Sequence, residues 1–230
     1  MPFELIISGL LLMGLCALFA TVFLKSFYDK KYIKALIFKG IASLCFVAFG
    51  AANCFYGQFS CVKLIIFIGL CFGIVGDEVI ALCQVFPKRD SLAFIGGGVI
   101  FIVGHVLYIL ALFLIGKLSV AVLVMGFAFV ITLSAVYEKR RNFLVGDMKR
   151  PLVLYLGIVL LVSAVTVSVF CAKGTLGAGL FALGGILFAV SDNILFAYKL
   201  GEKPRFLQNV ALHVAYYLAQ FSIAWSIGLL

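Results

Sequence analysis

The stretch Gly73-Ile-Val-Gly-Asp-Glu78 decides how the rest of this sequence is interpreted, because it places two acidic residues inside an apolar run. The run, Leu64–Phe86, is long enough to cross a bilayer. A carboxylate in such a run costs several kcal/mol unless it is protonated, paired or in contact with water, so it indicates a functional site. Asp192, in Ala189-Val-Ser-Asp-Asn193, lies in a second run of this kind. We therefore expect the chain to be a scaffold that brings Asp77 and Asp192 together.

Small residues recur on the helical face that carries Asp77. By their spacing, one stripe of this run contains Gly69, Gly73, Gly76, Asp77 and Ile80. Glycines on such a stripe let a neighbouring helix approach closely. The spacing therefore predicts a tight helix–helix contact beside the acid.

The composition is typical of polytopic membrane proteins. The chain has 230 residues, of which 65% are hydrophobic and only 12% are charged, and a soluble domain cannot bury that much apolar surface. We expect residues 1–230 to form a single transmembrane domain. The net charge of +9 does not indicate a nucleic-acid partner, because the basic residues lie in short connections, where they fit topology signals and contacts with membrane lipids. The seven cysteines show no C-x-x-C pair or metal-ligand spacing, so we interpret them as packing residues.

Eight apolar runs approach or exceed the roughly 20 residues that span a hydrocarbon core. They are Phe3–Leu24, Leu36–Phe55, Leu64–Phe86, Leu92–Ile115, Leu118–Tyr137, Pro151–Cys171, Leu176–Tyr198 and Phe206–Leu230. The sequence thus predicts an all-α membrane protein with eight transmembrane helices. Most of the 18 Lys and Arg residues lie in the first, third, fifth and seventh connections. The positive-inside rule therefore predicts that these connections are cytoplasmic and that both termini lie outside.

The positions of the polar residues hint at an internal duplication. Asp77 and Asp192 are half a chain length apart, and the same offset relates His105 to Gln220. This offset favours two four-helix halves of the same orientation, related by an axis along the membrane normal.

The polar residues inside the apolar runs gather between the cytoplasmic helix ends and the midplane. At about 1.5 Å per residue, Lys39 lies about 5 Å deep, Asp192 about 9 Å, Asp77 about 14 Å, Tyr216 about 15 Å and His105 about 20 Å. One face of the eighth helix carries Asn209, His213, Tyr216, Tyr217 and Gln220, and one face of the fourth carries Gly97, Phe101, Gly104, His105 and Tyr108. Polar faces in lipid turn inward, so the pattern predicts one cavity open to the cytoplasm.

Several of these residues also have a purely structural interpretation. His213 and Tyr217 can simply bond to a neighbouring helix, and Lys39 can extend to the lipid headgroups. Glu78 is about 100° round the helix from Asp77, so it faces either the cavity or a neighbouring helix. For Asp77 and Asp192 a structural role alone is the weaker interpretation, because two membrane acids at similar depth are costly to keep.

Together these residues resemble the pattern of the YhhN family of integral membrane proteins, which includes the animal lysoplasmalogenases. The matching elements are Gly76-Asp77, Gly97 with His105 and Tyr108, Arg150-Pro151 with Tyr155, Ser191-Asp192, and Tyr216/Tyr217 with Gln220. Their order and spacing agree across nearly the whole chain. Phe38-Lys39-Gly40 resembles the family's Lys-Pro, with Gly40 in place of the proline. Glu78 and Asn193 stand beside the acids where the family usually has less polar residues.

The resemblance implies an enzyme that cleaves the vinyl ether bond of lysoplasmalogens. The products would be a fatty aldehyde and glycerophosphoethanolamine or glycerophosphocholine, and neither a metal nor an organic cofactor is implied. The catalytic candidates are Asp77, Asp192 and His105. The candidates for substrate binding are Tyr108, Tyr216, Gln220, Lys39, Glu78 and Asn193.

The chemistry of that reaction suits two carboxyl groups. Hydrolysis begins with protonation of the alkene carbon, which gives an oxocarbenium ion that water captures. It needs one group still protonated near neutral pH and another that stabilises positive charge and deprotonates water. Burial and a neighbouring carboxyl both favour retention of one proton, so Asp77 and Asp192 can supply both roles. Which of the two is the acid stays open at this stage.

Three other functions compete with this hypothesis. An intramembrane aspartyl protease also uses two membrane acids, but Gly73 is one position too far from Asp77 for its Gly-x-Gly-Asp motif, and Pro-Ala-Leu is absent from the sequence. A seven-helix zinc hydrolase of the ceramidase type normally needs three histidine ligands, and the chain has only His105 and His213. A proton-coupled small-molecule or lipid transporter remains as the alternative, because membrane acids also serve as proton relays.

The expected partners are a lysophospholipid substrate and the membrane lipids. Lys39, Lys199 or Lys203 could hold the lipid phosphate as point charges. We expect a multi-pass protein of the plasma membrane in a bacterial cell, or of the endoplasmic reticulum in a eukaryotic cell.

Overall fold

The structure is a computed structural model, and it describes residues 2–116, 126, 149–200 and 205–230. The long elements in these ranges are seven helices, which we number in chain order. They are α1 (Phe3–Tyr28), α2 (Tyr32–Phe55), α3 (Cys61–Val85), α4 (Asp90–Ile115), α5 (Lys149–Lys173), α6 (Leu176–Leu200) and α7 (Phe206–Ile227). A short 3-10 turn, Pro87–Arg89, joins α3 to α4. The described part of the chain contains no strand, so the all-α prediction holds there.

All seven helices are long and apolar enough to cross a membrane. They correspond to seven of the eight apolar runs in the sequence. The remaining predicted span, residues 118–137, falls outside the described residues apart from Gly126. The eighth span, the arrangement in two halves and the placement of both termini therefore stay predictions.

Helix α7 lies at the centre of the bundle. It packs against α6, α2, α3 and α1, and 72% of the residues in its apolar span are buried. In α1 the corresponding share is 11%, so most of its side chains point away from the bundle. The outward apolar residues of such a helix suit a lipid environment, where they cost nothing to expose. The polar residues of α7, in contrast, face the other helices.

The contact between α3 and α4 is built on glycines. A Cβ atom added to Gly97 would lie 2.8 Å from the carbonyl oxygen of Gly76, and one added to Gly104 would lie 3.2 Å from that of Gly69. Real Cβ atoms almost never come as close as the first of these, so the backbones meet at Gly97 because the side chain is missing. The predicted tight contact beside Asp77 is thereby confirmed.

One end of the bundle carries the basic connections, and we call it the basic end. It includes Lys30 and Lys31 after α1, Lys88 and Arg89 after α3, and Arg205 before α7. The ends of α1 and α7 meet there, since the Asn209 side-chain amide donates to the Tyr28 hydroxyl at 3.2 Å. The positive-inside rule predicts that this end is cytoplasmic.

Candidate active site

A cavity of about 870 Å³, including the space at its mouth, opens among the helices at the basic end. Phe27, Tyr32 and Tyr198 line it near the helix ends. The charged and polar side chains around it come from α2, α3, α6 and α7, and they are Lys39, Asp77, Gln84, Ser191, Asp192, Asn209, His213 and Tyr216. The two acids that the sequence singled out thus share one cavity.

Asp77 forms a buried ion pair with Lys39. The Lys39 ammonium lies 2.8 Å from Asp77 Oδ1 and also donates to the Asp77 carbonyl oxygen at 3.1 Å. The Ser43 hydroxyl lies 3.5 Å from the other carboxylate oxygen, Oδ2. The side chains of Lys39 and Asp77 are only 5% and 11% exposed. Lys39 therefore neutralises the acid inside the bundle, and it does not extend to the headgroups.

The depth predicted for Lys39 is wrong, because α2 begins at Tyr32 and not at Leu36. Residues 32–35 alternate polar and apolar side chains, so the apolar run alone does not include them, yet they are helical. At about 1.5 Å per residue, Lys39 then lies about 10 Å from the start of its helix, which is level with Asp77 on α3. This extra turn makes the ion pair possible.

Asp192 has a different environment. The Tyr155 hydroxyl of α5 donates a hydrogen bond of 2.7 Å to Asp192 Oδ2. Asp192 is 4% exposed, and no cation in the described part of the chain forms a salt bridge with it. The neighbouring Ser191 hydroxyl donates to the Leu212 carbonyl at 2.9 Å and ties α6 to α7. The two acids are thus buried to a similar extent but have unlike partners, one a cation and the other a neutral phenol.

Tyr155 is a site residue to which the sequence analysis gave no role. It belongs to the Arg150-Pro151…Tyr155 pattern, so its position was noticed, but the pattern says nothing about its partner. It is buried, at 6% exposed, and its ring packs against Phe196 and His105 with centroid distances of 5.6 and 6.4 Å. This packing fixes the phenol and hence the orientation of the Asp192 carboxyl.

His105 and Tyr108 lie behind the cavity and are not among its lining residues. His105 Nδ1 is 2.7 Å from the Phe101 carbonyl oxygen, so this nitrogen carries the proton. The ring packs edge-on against Phe188, with centroids 4.7 Å apart. Tyr108 packs on Gly69 of α3, and its hydroxyl has no hydrogen-bond partner among the described residues. The structure places His105 beside Tyr155, where it supports the phenol.

The polar face of α7 reaches the cavity only in part. His213 and Tyr216 line the cavity, and Gln220 does not. The Tyr216 hydroxyl donates to the Gly73 carbonyl at 3.2 Å, and His213 Nδ1 lies 2.8 Å from the Asn209 carbonyl. Gln220 is fully buried against Gly73, where an added Cβ would lie 2.6 Å from its Nε2. These contacts hold α7 against α3 near Asp77.

Glu78 and Asn193 flank the acids without lining the cavity. The Glu78 carboxyl group lies about 3.5 Å from where a Cβ of Gly40 would stand, so it faces α2. The Asn193 amide donates to the Ala189 carbonyl of its own helix at 2.8 Å. Two of the three departures from the family pattern, Gly40 and Glu78, are therefore neighbours in space. A Cβ atom at Gly40 would make an ordinary van der Waals contact with that carboxyl group.

No group of three or more His, Cys, Asp or Glu side chains in the described part of the chain is arranged to hold a metal ion. The arrangement provides one carboxyl group paired with an ammonium, a second carboxyl group that accepts from a phenol, and room between the helices for a small polar group.

The model of the YhhN family matches residues 34–227, a range that includes Lys39, Asp77, Tyr155 and Asp192. No curated protein and no solved structure matches the chain.

Proposed function

The chain belongs to the YhhN family, and we propose that it is a lysoplasmalogenase-like hydrolase that cleaves the vinyl ether bond of a lysoplasmalogen in this cavity. The products are a fatty aldehyde and glycerophosphoethanolamine or glycerophosphocholine. The observation that supports the proposal best is the presence of two buried acids around one cavity. Among the described residues, only Asp77 of these two acids has a cation as its partner. Vinyl ether hydrolysis needs this combination of one ionised and one protonated carboxyl.

The charge balance of the cavity supports one assignment of the two roles. Lys39 and Asp77 together are neutral, so an ionised Asp192 would leave one uncompensated negative charge in a low-dielectric site. The resting site therefore keeps a proton on Asp192. The Tyr155 hydroxyl bonds Oδ2 of that group, and this leaves the other oxygen to present the proton to the substrate. Asp192 is accordingly the acid and Asp77 the base.

The reaction then proceeds with every proton accounted for. Asp192 donates its proton to the alkene carbon, a C–H bond forms, and the resulting oxocarbenium ion is stabilised by the Asp77 carboxylate. Water attacks the oxocarbenium carbon and passes a proton to Asp77, which gives a hemiacetal. Asp77 returns this proton to the departing ether oxygen as the C–O bond breaks, and Asp192 takes the proton of the hemiacetal hydroxyl. The aldehyde and the alcohol leave, and both acids regain their starting states.

Lys39 keeps Asp77 ready for the second step. Because the ammonium holds Oδ1, the carboxylate stays ionised before the reaction and its Oδ2, beside Ser43, is available to water. This assignment replaces the hypothesis that Lys39 holds the lipid phosphate. Of the other candidates for that role, Lys203 lies outside the described residues and the side chain of Lys199 is not described.

The substrate would enter with its polar end in the cavity. The mouth lies at the basic end, which the sequence predicts to be cytoplasmic, so a single-chain lipid of the cytoplasmic leaflet is the substrate that fits. His213, Asn209 and Tyr216 offer hydrogen-bonding groups to its glycerol and phosphate.

Aldehyde release from a panel of lysolipids tests this proposal against the transporter alternative. The purified protein in detergent, with no ion gradient, is incubated with matched lysolipids that carry or lack the vinyl ether. We expect aldehyde from the vinyl ether lipids alone, and about 10²–10⁴-fold less of it per unit time after Asp192→Asn. If the parent protein consumes no vinyl ether lipid but moves it across vesicles in response to a proton gradient, the transporter is the better account.

A further inference from the structure

A second opening lies on the side of the bundle, between α4, α5 and α6. We call it the lateral groove and define it by Gly98, Val99, Ile102, Leu154, Tyr155 and Phe196. It encloses about 650 Å³, including the space at its open face. Val99 is 53% and Leu154 60% exposed at its rim, and both lie in helices that are long and apolar enough to cross a membrane. The Tyr155 hydroxyl is the one polar side-chain group that lines it, so the groove suits a hydrocarbon occupant.

The lateral groove and the cavity are next to each other. Ile80, Phe94 and Leu195 line both spaces, so at these points no more than a side chain separates the two. Tyr155 gives a second connection, because it lines the groove while its hydroxyl bonds Asp192 on the cavity side. The groove therefore ends at the carboxyl group that we assign as the acid.

We propose that the lateral groove binds the hydrocarbon chain of a single-chain lipid while the polar end of the same molecule occupies the cavity. The proposal rests on the proposed function for the identity of the lipid, a 1-alkenyl lysophospholipid. In such a lipid the vinyl ether bond lies where the apolar chain meets the polar glycerol. In the protein, Tyr155 and Asp192 lie where the apolar groove meets the polar cavity. A lipid that spans both spaces therefore has its reactive bond beside the acid.

Gly98 gives the groove its depth and offers a way to fill it. A Cβ atom at Gly98 would meet only the Tyr155 ring, at 3.8 Å, which is an ordinary contact. A leucine there can therefore be accommodated by the backbone, and its branched end would occupy the groove. Gly96 is the matched control on the same helix, because its Cβ would meet only Val79, also at 3.8 Å, and it does not line the groove.

The test uses a lysophospholipid with a saturated alkyl ether chain that carries a photoactivatable diazirine. This probe has no vinyl ether, so its binding is measured independently of any hydrolysis. On the purified full-length protein we expect labelled peptides from α4 and α5 around residues 95–102 and 154–155. Gly98→Leu should reduce this labelling by roughly tenfold or more, since even one methylene in an apolar pocket is worth about that factor. Gly96→Leu should label like the parent.

Three results would overturn the proposal. They are labelling confined to other helices, equal labelling of the Gly98→Leu and Gly96→Leu variants, and competition by a diacyl phospholipid as effective as by the unlabelled lysolipid. The last result would mean that the groove holds an ordinary bilayer lipid.

An activity measurement separates failure of the groove from failure of the proposed function. With long-chain vinyl ether substrate, Gly98→Leu should raise KM much more than Gly96→Leu, and with a short-chain analogue the two variants should behave alike. If the parent releases no aldehyde from either substrate, the proposed function fails, and the labelling still decides whether the groove binds a chain. If the parent is active and Gly98→Leu leaves the long-chain KM unchanged, the groove assignment alone is wrong.

Discussion

Replacement of Lys39 by methionine removes the one cation that the described structure places in contact with Asp77. Methionine keeps most of the length and the apolar stem of the side chain, so packing against Phe23 and the helix should survive. Because the two side chains are only 5% and 11% exposed, this pair differs from a surface pair, which is worth about 0–1 kcal/mol. Loss of one partner of a buried pair typically costs about 3–5 kcal/mol.

Asp77 can avoid part of that cost by taking up a proton, and this has a consequence for activity. With both acids protonated the site has a proton donor but no base to deprotonate water. Loss of one general acid or base typically costs about 10²–10⁴ in rate. We therefore expect Lys39→Met to be strongly impaired in kcat while its KM for the lipid changes little. A residue that held the lipid phosphate would show the opposite pattern, with KM raised and kcat kept.

Two variants serve as controls. Lys39→Arg keeps the charge and should retain much of the stability and part of the rate. The double variant Lys39→Met with Asp77→Asn removes both charges and leaves no unpaired carboxylate in the bundle. It should therefore unfold at a higher temperature than Lys39→Met alone, so the stability changes at the two positions should not be additive. The assays are thermal unfolding in detergent and aldehyde release. Strictly additive stabilities, together with a parent-like kcat for Lys39→Met, would refute the ion-pair account.

Three further outcomes follow from the same geometry. Tyr155→Phe removes the hydrogen bond to Asp192 and keeps the ring packing. The kcat should therefore fall by less than in Asp192→Asn, and the thermal unfolding temperature should stay close to that of the parent. His105→Gln should lower kcat by less than either Asp→Asn variant, since His105 is not among the cavity residues. A loss of kcat as large as that of Asp192→Asn would instead show that His105 is catalytic. The kcat for aldehyde release should be highest while the proton donor, Asp192, is protonated, and it should fall as the pH rises and this group ionises. A kcat that rises steadily into the alkaline range would contradict the assignment of Asp192 as the acid.

The sequence alone predicted that the chain is a membrane protein, that the seven described helices are apolar spans, and that Asp77 and Asp192 share a cavity. Each of these predictions depends on hydropathy and helical spacing. It missed the ion pair of Lys39. A hydropathy run marks only the apolar middle of a helix, and the pair depends on one extra turn of mixed residues before Leu36. An error of one helical turn changes the predicted depth of the Lys39 ammonium by about 5.4 Å. A shift of this size separates a position at the lipid headgroups from one beside Asp77.

Other features of the site depend on contacts between helices that are distant in sequence. Nothing local in Tyr155 indicates that its hydroxyl donates to Asp192 on the next helix. Likewise, Gly40 and Glu78 each looked like an isolated departure from the family pattern, and only the packing of α2 on α3 shows that they are neighbours. His105 lay on a correct helical face, but a face 100° wide cannot distinguish the wall of a cavity from the layer behind it.

The most direct test of the central claim is aldehyde release from vinyl ether lysolipid by purified Asp77→Asn, Asp192→Asn and the double variant, each shown to be folded by thermal unfolding. Asparagine is nearly isosteric with aspartate, so it removes the proton chemistry and keeps the shape. The account predicts that each single variant loses about 10²–10⁴ in rate. It also predicts that the double variant is barely worse than either, since the two acids act as one unit. A folded Asp192→Asn or Asp77→Asn protein that releases aldehyde at close to the parent rate would contradict it.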